Sequence, residues 1–125
     1  YDNNPVTLSV DGTQGTPTDV STSGQADFII GSRGLSGTTP PSIPFNGNLD
    51  EVAYFTSELS ASDVNSIYGT GVPNDISGLN PVGWWRMGDK ASFSTNWTLT
   101  DQGSGGNNGT SVSMPAGARQ ADVPS

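Results

Sequence analysis

The stretch FNGNLDEVAYFTSELSASDVNSIYG at residues 45–69 limits the fold of this chain more than any other part of its sequence. Asn46, Gly47 and Asn48 supply turn chemistry, because Gly and Asn enter positive φ at little steric cost. From Leu49 the sequence alternates. Leu49, Glu51, Ala53 and Phe55 fall on one face, and Asp50, Val52, Tyr54 and Thr56 on the other. Both faces carry apolar groups, so this strand is expected to be covered on one side and partly shielded on the other. Ser60 and Asp63 have capping-box spacing, with Asp63 in place of the usual Glu. Leu59 and Val64 are spaced to form a hydrophobic staple. Ile67 and Tyr68 extend the apolar side, and Gly69 can end the element as a C′ residue. The spacing predicts one short helix over 61–68.

At 125 residues the chain suits one domain with a modest core. Only 31% of its residues are hydrophobic, and it holds 17 Gly and 9 Pro, which fits a sandwich with many turns better than a helical bundle. The turn–strand–helix unit and three Trp residues oppose full disorder. Twelve acidic residues against four basic give a formal charge of −8, and Lys90 is the only lysine. Such a chain repels phosphate backbones and anionic membrane surfaces, so neither nucleic acid nor membrane is an expected partner. No apolar run reaches the roughly 18 residues a membrane-spanning helix needs. No signal peptide is visible, but Tyr1 is not a natural start, so the sequence does not exclude a targeting segment before it. With no Cys and no His, thiolate zinc sites, disulfides, Cys nucleophiles and the commonest general base are excluded.

Along the chain, Val6, Leu8 and Val10 alternate with Thr7 and Ser9, predicting a half-buried strand that ends in a tight turn at Asp11-Gly12. Residues 13–25 read as a loop around a weak strand near 19–21. Residues 26–31 read as a strand with Phe28 and Ile30 on one face. Residues 32–44 read as a surface loop, with Pro40, Pro41 and Pro44 breaking regular pairing. After a connector at 70–80, Val82 and Trp84 share one strand face and Trp85 and Met87 the other. Residues 101–110 are loop chemistry, and Val112 and Met114 predict a short closing strand.

The pattern F-x-G-x-L-D-E-V-A-x-F…L-S-A-x-D-V-x-x-I-Y over Phe45 to Tyr68 resembles the C-terminal signature of laminin-G-like domains of the concanavalin A-like lectin/glucanase superfamily. Val6 to Gly12 is similar to that family's V-D-G strand and turn, and Phe28 to Gly31 to its I-G strand. The resemblance implies an all-β jelly-roll sandwich, incomplete at the N-terminus, with the one helix near 61–68. Residues 81–110, V-x-x-W-R-M-G-D…D-x-x-S-G-x-N-N-G-T, resemble the opening segment of the same family. A closing half therefore precedes an opening-type segment. Earlier strands are absent here, or a second repeat begins at the Trp unit, or that unit lies back on the first half. The first is favoured, with residues 1–78 as the C-terminal portion of a sandwich and 79–125 as a C-terminal arm or the start of a second unit. Trp84 to Asp89, Thr100 to Thr110 and Asp122 to Pro124 also resemble virion structural proteins of marine tailed bacteriophages.

Glucanases of this superfamily place acidic residues two apart on one strand, and glycoside hydrolysis needs carboxyls about 5–10 Å apart. Here Asp50 and Glu51 are adjacent and face opposite ways, and Glu58 lies past the strand, so no enzyme is expected. No cofactor is required. Calcium is the metal that oxygen donors would suit, with Asp11, Asp50, Asp89 and Asp101 as candidates, although Asp also serves turns and N-caps. The resemblance supports this, since many laminin-G-like domains hold calcium at a loop rim. Trp84, Trp85 and Trp97, with Asn107 and Asn108, are the candidates for binding a sugar, because pyranose faces pack on indole. Core or interface packing of these Trp residues is the stronger expectation. Asn96-Trp97-Thr98 and Asn108-Gly109-Thr110 match the glycosylation pattern, without consequence in a phage protein. The Gly-rich runs at 31–34 and 103–106 lack the Lys or helix that phosphate binding needs. The leading expectation is a non-catalytic structural module on a virion surface, such as a capsid decoration, knob or fibre protein. It would contact other virion proteins or copies of itself. The second is an extracellular adhesin or lectin, calcium-dependent or not, for cell-surface glycan.

Overall fold

The computed structural model describes residues 28–33, 42–69 and 71–120, together with the paired strand residues 5–6, 9–10, 13–14 and 18–19. Its regular structure is antiparallel strands with one α-helix. Two compact units divide the chain, Tyr1–Asn46 and Gly47–Ser125.

In the first unit, β1 (Pro5–Val6), β2 (Ser9–Val10), β3 (Thr13–Gln14) and β4 (Thr18–Asp19) form two short ladders, β1 with β4 and β2 with β3. Of the strand expected from Val6 to Val10, Val6 lies in β1 and residues 9–10 form β2, while residues 7–8 and the expected turn at Asp11-Gly12 lie outside the described residues. Of the strand expected at 26–31, residues 28–31 are not in a strand and residues 26–27 lie outside the described residues. Gly31 has φ 75, which turns the chain, and its carbonyl accepts from Phe45 N at 2.8 Å. Pairing begins beyond it, with β5 (Ser32–Arg33) against β6 (Ser42–Pro44). Part of the expected surface loop is therefore a ladder. Pro44 is tolerated because both strands of a two-stranded ladder are edges, where a missing N–H need not cost a bond.

The second unit carries residues 47–69 of the signature and the Trp segment in one body. β7 (Val52–Tyr54) pairs antiparallel with β8 (Gly83–Trp85), placing Val52 opposite Trp85, Ala53 opposite Trp84 and Tyr54 opposite Gly83. β7 is shorter than the alternation from Leu49 to Phe55 suggests, because Glu51 sits at φ 49 and breaks the extended chain just before Val52. Between the strands, α1 (Ala61–Tyr68) occupies the expected span. The Ser60 hydroxyl accepts from Asp63 N (3.2 Å), and Asp63 Oδ2 accepts from Ser60 N (3.0 Å), completing the capping box. Gly69 ends the helix at φ 51, its N–H on Asn65 O. A 3₁₀ turn at Ser77–Leu79 follows, next to buried Ile76.

β9 (Ser92–Phe93), β10 (Trp97–Leu99) and β11 (Gly109–Thr110) form a three-stranded sheet with β10 central. Neither β9 nor β10 stands out in the sequence. The closing strand expected at Val112 and Met114 is not formed. Gly109 and Thr110 take the pairing instead, Ser113 turns at φ 56, and Val112 and Met114 are 46% and 48% exposed. Every residue of β8 is buried, and Trp84 and Trp85 form the apolar centre of this unit with Ile76. A methyl on Gly83 would run into the Trp85 indole, so only glycine fits beside it.

Candidate contact surface

Asp101 organises the loop after β10. It is 8% exposed and bridges to Trp85. Its Oδ1 accepts from Trp84 N and Gly103 N, both at 2.8 Å, and its Oδ2 from Asn107 N at 2.7 Å. Three backbone donors thus converge on one buried carboxylate, which satisfies the N–H groups that the turn strips of ladder partners. Gln102 N reaches Trp84 O (2.8 Å), Ser104 N reaches Pro81 O (3.0 Å) and Gly105 N reaches Val82 O (2.7 Å), stitching the loop along the outer edge of β8. A Cβ on Gly103 would lie 2.5 Å from Val82 O, so a side chain there would force the strand and loop apart. Asn107 O accepts from Trp85 Nε1 (2.9 Å), and Asn108 Oδ1 from Asp101 N (2.9 Å).

A second cluster forms around Glu51. Its Oε2 accepts from Trp84 Nε1 and its Oε1 from Arg86 Nε, both at 2.7 Å. The Arg86 guanidinium lies 5.4 Å from the centre of the Trp84 ring, within cation–π range. Arg86 also pairs with Asp89 at 3.4 Å, and Arg119 approaches Asp89 at 3.9 Å. The bond to Glu51 pushes the Arg86 pKa further up, against a smaller effect of burial. Glu51 holds its positive φ together with these contacts. Sequence reasoning missed Glu51 and Arg86. The available signal was a carboxylate on the apolar strand face that also carries Leu49, Ala53 and Phe55.

Glu51, Ala53 and Phe55, together with Leu59, Ile67, Pro73, Asn74 and Ile76, line a hollow of about 330 Å³. The Asn74 carboxamide donates to Ser66 O (3.0 Å) and pins the connector to the helix end.

The sequence candidates for ligand binding do not meet in one cleft. Trp84 and Trp85, expected to face opposite ways, are both interior, at 4% and 7% exposure. Trp97 is half-buried, its ring 5.3 Å from Phe93 at 59° and its Nε1 on Pro115 O. The carboxylate candidates are scattered as well. Asp11 lies outside the described residues. Asp50 is exposed and accepts from Glu51 N (3.0 Å). Partial burial is the largest influence on its carboxyl and raises the pKa, against the lowering by that N–H bond. Asp89 is exposed and paired to arginines, and Asp101 is taken up by backbone donors. Among the described residues no three His, Cys, Asp or Glu side chains gather as a metal site, and no helix is long and apolar enough to cross a membrane.

What the described surface offers is apolar area. Among the described residues three hydrophobic side chains are buried, whereas Phe28, Ile29, Ile43 and Phe45 in the first unit, and Leu49, Tyr54, Tyr68, Val72, Phe93, Val112 and Met114 in the second, are each at least 36% exposed. No protein family, curated protein or solved structure matches the chain.

Proposed function

We propose that this chain is a non-catalytic structural module of a virion surface, a decoration, knob or fibre-type protein, whose work is contact with other virion proteins or with copies of itself. The observation that carries this reading is the ratio of exposed to buried apolar side chains. Single exposed apolar residues are ordinary on any protein. Among the described residues eleven large apolar side chains are exposed and three are buried, which supports a surface that another chain covers. The resemblance of the 45–69 and 81–110 segments to laminin-G-like domains supports a jelly-roll sandwich as the complete fold, with the β7–β8 pair as part of one of its sheets. The phage resemblance supports the setting. The commitment of Glu51 and Asp101 to internal hydrogen bonds favours scaffolding over acid–base chemistry.

The half-exposed Phe93–Trp97 pair favours a second reading, a glycan-binding adhesin in which an aromatic face stacks on a sugar. In that reading calcium would be held by loop carboxylates such as Asp50 or Asp89. A glycan-array signal abolished by chelator would establish it.

The test of the main reading is composition. Quantitative mass spectrometry of purified particles is expected to find the chain at a fixed copy number. A soluble monomer with no affinity for any particle or partner chain would overturn it.

A further inference from the structure

We infer that the hollow beside β7 receives an extended segment of a partner protein, one that carries apolar side chains between lysines or arginines and adds to β7 as a strand. The inference rests on the contact function proposed above and names the partner's chemistry.

Main-chain geometry supplies the first argument. Trp84 donates its N–H to Asp101 and accepts at its carbonyl from Gln102, so both of its polar backbone groups face away from β7. Ala53, directly opposite, is therefore the non-hydrogen-bonded member of the antiparallel ladder. Its own N–H and C=O point to the outer edge of β7, and no hydrogen bond among the described residues reaches them. An unpaired donor and acceptor on one edge residue is the template for strand addition.

The second argument is the space next to that edge. The hollow lies over the face of β7 that carries Ala53 and Phe55 and is walled by Leu59, Ile67 and Ile76. Its volume of about 330 Å³ holds more than one apolar side chain, given that a cavity of about 150 Å³ accepts benzene. A strand paired at Ala53 would send alternate side chains over this face.

Charge fixes the partner's character. Glu51, its charge offset by the ion pair with Arg86, lines the hollow, while Asp50 precedes it, exposed Glu58 precedes Leu59, and exposed Asp75 precedes Ile76. No lysine or arginine lines the hollow or adjoins a lining residue in the chain. With a net charge of −8 on the whole chain, a basic strand is drawn to this edge and a second copy of the chain is repelled.

The probe is a fluorescein-labelled peptide, acetyl-Lys-Val-Lys-Leu-Lys-Val-Lys-amide, followed by anisotropy with the full chain at low salt. Two controls replace Lys by Glu or methylate alternate backbone nitrogens. The lysine peptide is expected to bind at least about tenfold more tightly than either control. It should slow hydrogen exchange at the Ala53 amide and weaken with salt. Glu58→Lys, a change on an exposed side chain, should lower its affinity several-fold. Equal binding of the three peptides, no binding, or an Ala53 amide already protected in a homodimer would each overturn the inference. Attachment of the chain to particles is measured in parallel. Attachment that neither the peptide nor Glu58→Lys alters sinks the strand-addition site and leaves the contact function standing, whereas absent attachment sinks the contact function.

Discussion

Replacing Asp101 by alanine is expected to destabilise the chain by about 3–5 kcal/mol, a sum of three broken bonds. Hydrogen bonds to a charged acceptor contribute about 1.5–3 kcal/mol each, but what the mutation costs depends on where each donor is left. Trp84 N lies in a fully buried strand and would lose its partner without gaining water, at about 2–3 kcal/mol. Gly103 N and Asn107 N belong to a loop that water reaches, so each would forfeit about 0.5–1 kcal/mol. Against a total stability of about 5–15 kcal/mol, that loss is severe. Asp101→Asn keeps Oδ1 for Trp84 and Gly103 and sets an N–H₂ against the Asn107 donor, so it should cost roughly half as much. Urea unfolding followed by Trp fluorescence reads both variants, because Trp84 and Trp85 are interior and leave an apolar environment on unfolding. An alanine variant within about 1 kcal/mol of the parent, or one no worse than the asparagine variant, would refute the role assigned to the carboxylate.

Glu51→Ala should cost about 2–3 kcal/mol in thermal or urea unfolding, since it strands Trp84 Nε1 and Arg86 Nε together, and Glu51→Gln should recover part of that. Ser60→Ala should cost about 1 kcal/mol and lower the helical circular dichroism signal, because the capping box loses its hydroxyl. The carboxyl of Asp50 has a folded pKa above its ordinary 3.8, so the folded state holds this proton more tightly than the unfolded state. Stability from this group is present below 3.8 and is lost as pH rises through the folded pKa. Asp50→Asn, which keeps an acceptor for Glu51 N, should therefore raise the urea midpoint slightly at pH 7, and the gain should vanish near pH 3. A gain that persists in acid would assign the effect to something other than ionisation.

The parts of this structure that were legible in the sequence are those made by neighbours in the chain. The helix at Ala61–Tyr68 forms where its spacing placed it, because Ser60, Asp63 and Gly69 act within a few residues of one another. Glu51, Ala53 and Phe55, placed on one face by the alternation, do line one hollow, although Glu51 departs from extended backbone at φ 49. The rest depends on partners far along the chain. Nothing near Asp101 announces that Trp84, 17 residues away, will hand it an N–H, so it read as a turn or metal carboxylate. Glu51 and Trp84 are 33 residues apart, and their bond appears only once β7 and β8 pair. Trp84 and Trp85 do alternate in direction, but the loop after β10 folds over one side, so both are covered. Val112 and Met114 have strand character, yet Ser111 ends the ladder first, its Oγ accepting from Trp97 N and its own N–H bonding Trp97 O.

Hydroxyl-radical footprinting of the chain, free and in assembled particles, tests most directly whether its apolar surface is there to be covered. Labelling of Leu49, Tyr68, Val72, Phe93 and Met114, all at least 40% exposed in the isolated chain, should fall several-fold in the assembly, while buried Trp84 stays unlabelled in both. Equal labelling of those five side chains in the two states would contradict a protein that works by contact.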